Sequence, residues 1–124
     1  MARPEFAITV AVRHLPEESN PDSGKYAFAY TISIANSGDV TAQLIARHWI
    51  VSDASGHVEE VRGLAVIGQQ PILKPGESFE YTSGASLPTP VGTMKGTYQM
   101  VSEDGTTFDA PIPSFTLSVP RTLH

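Results

Sequence analysis

A chain of 124 residues, 40% hydrophobic and 17% charged, has the size and composition of one globular domain, long enough to bury a core without disulfides or a structural metal. Thirteen acidic against eight basic side chains leave a net charge of −5, and the basic ones are scattered singly, which argues against nucleic acid as a partner. The absence of cysteine excludes a disulfide framework, a thiolate metal site and a cysteine nucleophile.

Near the N-terminus, Phe6, Ile8, Val10 and Val12 alternate with Ala7, Thr9, Ala11 and Arg13, the period-two pattern of a strand with one buried face. The opening residues lack the continuous apolar stretch of a signal peptide, and no run approaches the roughly 18 apolar residues of a membrane span. A cytoplasmic protein with no membrane partner is expected. Tyr26, Phe28, Tyr30, Ile32 and Ile34 then define one face of a second strand, which starts after the turn Pro21-Asp22-Ser23-Gly24 and ends near Asn36-Ser37-Gly38-Asp39.

Residues 40–53 read as a long third strand, with Ile45, Trp49 and Val51 sharing a face and the turn Asp53-Ala54-Ser55-Gly56 closing it. Arg47 falls on that same apolar face. An edge position, a bulge or a paired charge would each accommodate it, and the pattern does not choose among them. Further strands are expected over 57–62, over 77–83 after Lys74-Pro75-Gly76, over 93–101, and over 107–119 after Glu103-Asp104-Gly105-Thr106. Pro111 and Pro113 place the last of these at a sheet edge or at a crossing between sheets. No window shows a helical repeat. Six or seven short strands separated by turn residues predict an all-β fold, an immunoglobulin-like antiparallel β-sandwich forming a single domain over 1–124 with Trp49 in its core.

The stretch Val61-Arg62-Gly63-Leu64-Ala65-Val66-Ile67-Gly68-Gln69-Gln70-Pro71 sets two glycines behind an arginine, much as a dinucleotide-binding turn does. A phosphate site here would use Arg62, Gly63, Gly68 and Lys74. In such a turn the middle glycine lets the backbone approach a pyrophosphate, and the loop then opens a helix. Here the middle position is Ala65, and Pro71 fits poorly inside a helix that should just be starting. The alternative is an arch connecting two strands, its glycines at positive φ and Leu64, Val66 and Ile67 apolar enough for the core.

His14, His48, His57 and His124 lack any spacing that would pair two imidazoles locally. The acidic pairs Glu17-Glu18, Glu59-Glu60 and Glu103-Asp104 read as solvated surface, and Asp53-Ala54-Ser55-Gly56 lacks the ligand alternation of a calcium loop. No metal and no cofactor is expected. No nucleophile elbow is present, and His48 and Trp49 should face opposite ways on a strand, so no catalytic residue is assigned. Residues 84–92 form a proline-rich, nearly uncharged connection. Leu87, Pro88, Pro90 and Val91 are its candidate docking residues for another protein, the alternative being a rigid turn between sheets.

The blocks ARHWIVSD (46–53), VEEVRG (58–63), GQQP (68–71), LKPGESFEYTSG (73–84) and GTMKGTYQM (92–100), with Phe108-Asp109 and PIPSF (111–115), resemble the bacterial ApaG family in content and spacing over almost the whole chain. The resemblance implies a fibronectin type III-like β-sandwich. The family's name comes from an operon neighbour that hydrolyses diadenosine tetraphosphate, and a related label, CorD, from cobalt and magnesium tolerance. Similar domains in eukaryotic F-box proteins and in a polymerase-delta-interacting protein imply a protein-binding module. Where the family carries a GxGxxG stretch, this chain has Ala65 at the central glycine. The expected function is therefore a non-enzymatic module that binds another protein through a sheet face or edge, a weak homodimer through an edge included. The alternative is a small-molecule sensor binding pyrophosphate or a nucleotide polyphosphate through Arg62, Gly63 and Gly68.

Overall fold

The structure, a computed structural model, describes residues 3–120. Strand β1 (Phe6–His14) pairs antiparallel with β2 (Tyr26–Asn36) across two single-turn 3-10 segments, Pro16–Glu18 and Pro21–Ser23. Strand β6 (Ser78–Leu87) completes this sheet in the order β1-β2-β6. The facing sheet has β4 (Val58–Leu64) at one edge, then β3 (Ala42–Asp53), β7 (Val91–Ser102) and, at the other edge, β8 (Thr107–Ser118). A two-residue strand, β5 (Ile72–Leu73), also pairs with β3, beyond the end of β4.

The expected all-β sandwich is thus the fold. Its core comes from inward positions of both sheets: Phe28, Ile32 and Ile34 from one, Leu44, Tyr98, Met100 and Leu117 from the other, all fully buried. Trp49 is buried with them, meeting Tyr30 at 5.6 Å and Phe115 at 5.8 Å between ring centroids, both edge-to-face. The hydroxyls of Tyr81 on β6 and Tyr98 on β7 join the sheets through a buried 2.6 Å hydrogen bond. Buried Asn36 ties one end of the sandwich together. Its Nδ2 donates to the carbonyls of Val40 and Leu73 at 2.9 Å each, and its Oδ1 accepts from the Gly38 amide.

Several expectations need correction. The strand expected over 77–83 continues to Leu87, because Ser83, Gly84, Ala85 and Ser86 keep pairing with β2 despite lacking an apolar alternation. The connection expected over 84–92 shrinks to Pro88-Thr89-Pro90, and Leu87 lies in the core instead of on a docking loop. Strand β5 is too short to leave a periodic signal. As expected, β8 is an edge strand, and a register shift opposite Met94 and Gly96 takes up Pro113.

Arg47 is not at an edge, since β3 is flanked by β4 and β7. A bulge between Leu44 and Ala46 shifts the phase of the strand just before it. Leu44 is therefore buried where Ile45 was expected, while Arg47, Trp49 and Val51 keep their common inward face.

Candidate functional site

Strands β4 and β5 lie on the same side of β3. The pairs run from Ser52 with Val58 to Ala46 with Leu64, and resume at Gln43 with Ile72 and Ala42 with Leu73. Residues 65–71 are therefore an arch let into one edge strand. The arch leaves the sheet at the bulge: the Ala65 amide and the Gln70 side chain both donate to the Ile45 carbonyl, at 2.8 and 3.0 Å. At its tip Val66 and Gln69 exchange two backbone hydrogen bonds around Ile67 and Gly68, whose φ values are 42° and 77°. Positive φ at both central residues makes this a type I′ turn, a conformation that suits Asn-Gly and strains a β-branched residue. Ala65 also has positive φ, at 66°. The arch sits on the fully buried side chain of Val66, whereas Ile67 is 55% exposed.

Arg47 holds the base of the arch. Its Nη1 donates to the carbonyls of Leu64 at 2.9 Å and Ala65 at 2.7 Å. Gly63, its neighbour across the ladder, leaves room for the guanidinium: a β-carbon there would stand 3.0 Å from Cζ, Nη1 and Nη2. The same cation lies near the buried tyrosine pair. Burial holds the Tyr98 hydroxyl well above the usual phenolic range and pushes Tyr81 up to about 12, while Arg47 pulls weakly the other way.

The sequence-predicted phosphate residues are not brought together. Arg62 projects from the outer face of β4 toward Glu60, at 3.8 Å, and Gly63 lies beneath Arg47. Gly68 is at the arch tip. Lys74 follows β5, and since Arg62 pairs with His48 and Leu73 with Ala42, six residues of β3 separate them by ~20 Å. The amides of Ala65, Val66 and Gln69 are all engaged inside the molecule. Leu64 and Ile67, expected in the core, are exposed, Leu64 to 73%, and Ile72 is exposed to 63%, so β4, the arch and β5 each present an apolar side chain to the outside. The positive φ of Ile67 and the position of Ile72 left no mark in the pattern. Arg47 did, as a charge on an apolar face.

Beside this edge, on the outer face of the sheet, a shallow groove of about 430 Å³ is lined by Ala46, His48, Arg62, Leu64, Thr97 and Gln99. His48 Nε2 stands 3.0 Å from Glu60 Oε1 there. His14 packs on Phe28 and His57 opens β4 near Glu59, while His124 lies outside the described residues. Among the described residues, no group of three or more His, Asp or Glu is placed to hold a metal ion. No helix among them is long and apolar enough to cross a membrane. Of the expected docking loop, Pro88, Pro90 and Val91 are exposed. The turn is nonetheless tied down: Thr89 Oγ1 accepts from the Ala54 amide and donates to the Val91 carbonyl, and the Val119 amide donates to the Pro90 carbonyl.

The same arch and edge can be placed in a family. The profile of the ApaG domain (DUF525) matches residues 16–102, which include β2 through β7. The chain belongs to the ApaG family. It is 62% identical over 120 residues to the ApaG protein of Nitrosospira multiformis, covering 97% of this chain and 94% of that one. It is 58% identical to the ApaG protein of Ralstonia nicotianae over the full length of both. A crystal structure of a Bordetella pertussis protein described as ApaA superposes with a TM-score of 0.92 at 54% identity, covering 96% of this chain and 97% of that one. ApaG membership accounts for the sandwich and for the sequence blocks around Arg47 and the arch, and assigns no chemistry to them.

Proposed function

We propose that the chain is a non-enzymatic binding module whose contact surface is the free edge made by β4, the arch and β5. One observation carries this reading: Leu64 on β4, Ile67 in the arch and Ile72 on β5 are all exposed, on an edge that has a neighbouring strand on one side only. Unpaired edge groups accept an extended segment of another chain as an added strand, and apolar side chains beside them supply the affinity. The strained turn at Ile67 fits this use, since a left-handed isoleucine costs stability and is kept where its side chain is needed.

The test is affinity capture with the wild-type chain and with a Leu64→Lys/Ile72→Lys variant, followed by amide exchange on β4. A protein retained by the wild type, lost from the variant and protecting the β4 amides supports the reading. Equal retention by both overturns it. The pyrophosphate-sensor alternative has less support, because three arch amides are engaged internally and Lys74 is remote.

A further inference from the structure

Resting on the reading of β4 as a docking edge, we propose its occupant: a second copy of this chain, whose β4 pairs antiparallel with this one about a twofold axis through Val61. The backbone sets the permitted registers. The His57 carbonyl accepts from the Asp53 amide at 3.0 Å, and the Ala65 amide donates to Ile45, so odd-numbered residues turn their polar groups toward β3. Val58, Glu60, Arg62 and Leu64 consequently turn theirs to the open side. Two such edges can hydrogen-bond only with even-numbered residues facing even-numbered ones.

The charges then select one register. With Val61 on the axis, Glu60 faces Arg62 of the second copy, twice by symmetry, and Val58 faces the copy's Leu64, twice, all on the outer face. Shifting the axis to Glu60 sets two glutamates opposite each other, and shifting it to Arg62 sets two arginines opposite, both unfavourable. An edge blunted against pairing carries charges that repel a second copy; the sequence Val58-Glu59-Glu60-Val61-Arg62-Gly63-Leu64 attracts one.

The inner face adds an independent match. Arg47 bonds two carbonyls, and no carboxylate lies within ion-pair distance of it among the described residues. Its guanidinium covers Gly63. In the Val61-centred register, Glu59 of the second copy lies opposite Gly63, beside that guanidinium. The two five-stranded sheets would then continue into one another across the axis.

Sedimentation across a range of concentrations tests the charges. Glu60→Arg and Arg62→Glu are each expected to weaken self-association about tenfold, and the exchanged pair Glu60→Arg/Arg62→Glu to restore it within about threefold. A wild-type chain monomeric at every concentration, or an exchanged pair as weak as the single variants, overturns the proposal. The register is read separately. Because the chain lacks cysteine, Val61→Cys introduces a single thiol, which should oxidise to a covalent dimer faster than Val12→Cys, a comparably exposed position near the end of β1. Val58→Cys should cross-link with Leu64→Cys in mixture and not with itself. Equal rates at all these positions overturn the register. Monomeric behaviour together with a captured protein lost from Leu64→Lys/Ile72→Lys would overturn self-pairing and leave the docking edge standing. Monomeric behaviour with equal capture would overturn both.

Discussion

The guanidinium of Arg47 lies across the α-carbon of Gly63, and from there it reaches the two carbonyls at which β4 turns into its arch. A methyl group on Gly63 would meet the far end of a flexible side chain, which can shift by a few tenths of an ångström. On Gly96 the same methyl would stand 2.0 Å from the His48 carbonyl oxygen, which is backbone and cannot. Gly63→Ala is therefore expected to cost about 1 kcal/mol and Gly96→Ala about 3 kcal/mol or more in urea unfolding. The Gly63 variant should also loosen the arch, visible as faster amide exchange at Ala65 and Val66.

The Tyr81–Tyr98 hydroxyl pair predicts a coupled loss. Either tyrosine changed to phenylalanine leaves the other hydroxyl buried without its partner, at a cost of about 1–2 kcal/mol. The double variant should lose less than the sum of the two. The pair also governs alkaline stability. Both phenols have folded-state values raised by burial, Tyr81 to about 12, so the native state holds its protons more tightly than the unfolded chain does. Stability from this source is complete below the ordinary phenol value of about 10 and falls as pH rises through 12. Alkaline unfolding followed by tyrosinate absorbance should begin in that window and move down in either single variant.

Ile67→Asn puts the preferred residue into a type I′ turn and should stabilise the fold by about 1 kcal/mol. If Ile67 serves binding, the same change should weaken capture of the partner while raising the melting temperature. A variant that gains stability and retains full capture would leave Ile67 without a part in the contact.

Pyrophosphate added at near-physiological salt should leave the amides of residues 62–69 unshifted in a ¹⁵N titration, because those of Ala65, Val66 and Gln69 are already bonded. Saturable shifts confined to that segment would restore the sensor reading.

Much of the sandwich was legible because alternation reports burial. Phe28, Tyr30, Ile32 and Ile34 lie inward as their spacing indicates, and Trp49 is at the centre of the aromatic cluster. What escaped are features without a period. Strand β6 runs on through Ser83-Gly84-Ala85-Ser86 because backbone pairing with β2, and not side-chain burial, holds it. The bulge at Ile45 moves the buried position to Leu44, a one-residue slip that alternation cannot locate. The site was half visible: Arg47 stood out as a charge among apolar residues, but its partners are carbonyls, which every residue has. Leu64 and Ile67 were expected inside because apolar character alone does not distinguish a core from a surface kept apolar.

The pairing of β2 with β6 has a consequence for how the molecule is made. Thr31 and Thr82, whose hydroxyls meet at 2.8 Å, are 51 residues apart in the chain, and every strand of the facing sheet except β7 and β8 is synthesised between them. The β1–β2 hairpin can form early, yet the outer edge of β2 has no partner until β6 emerges and closes that long loop. Folding should wait on this late closure, and the newly made hairpin is the stage at which the chain is most exposed to chaperones and to aggregation.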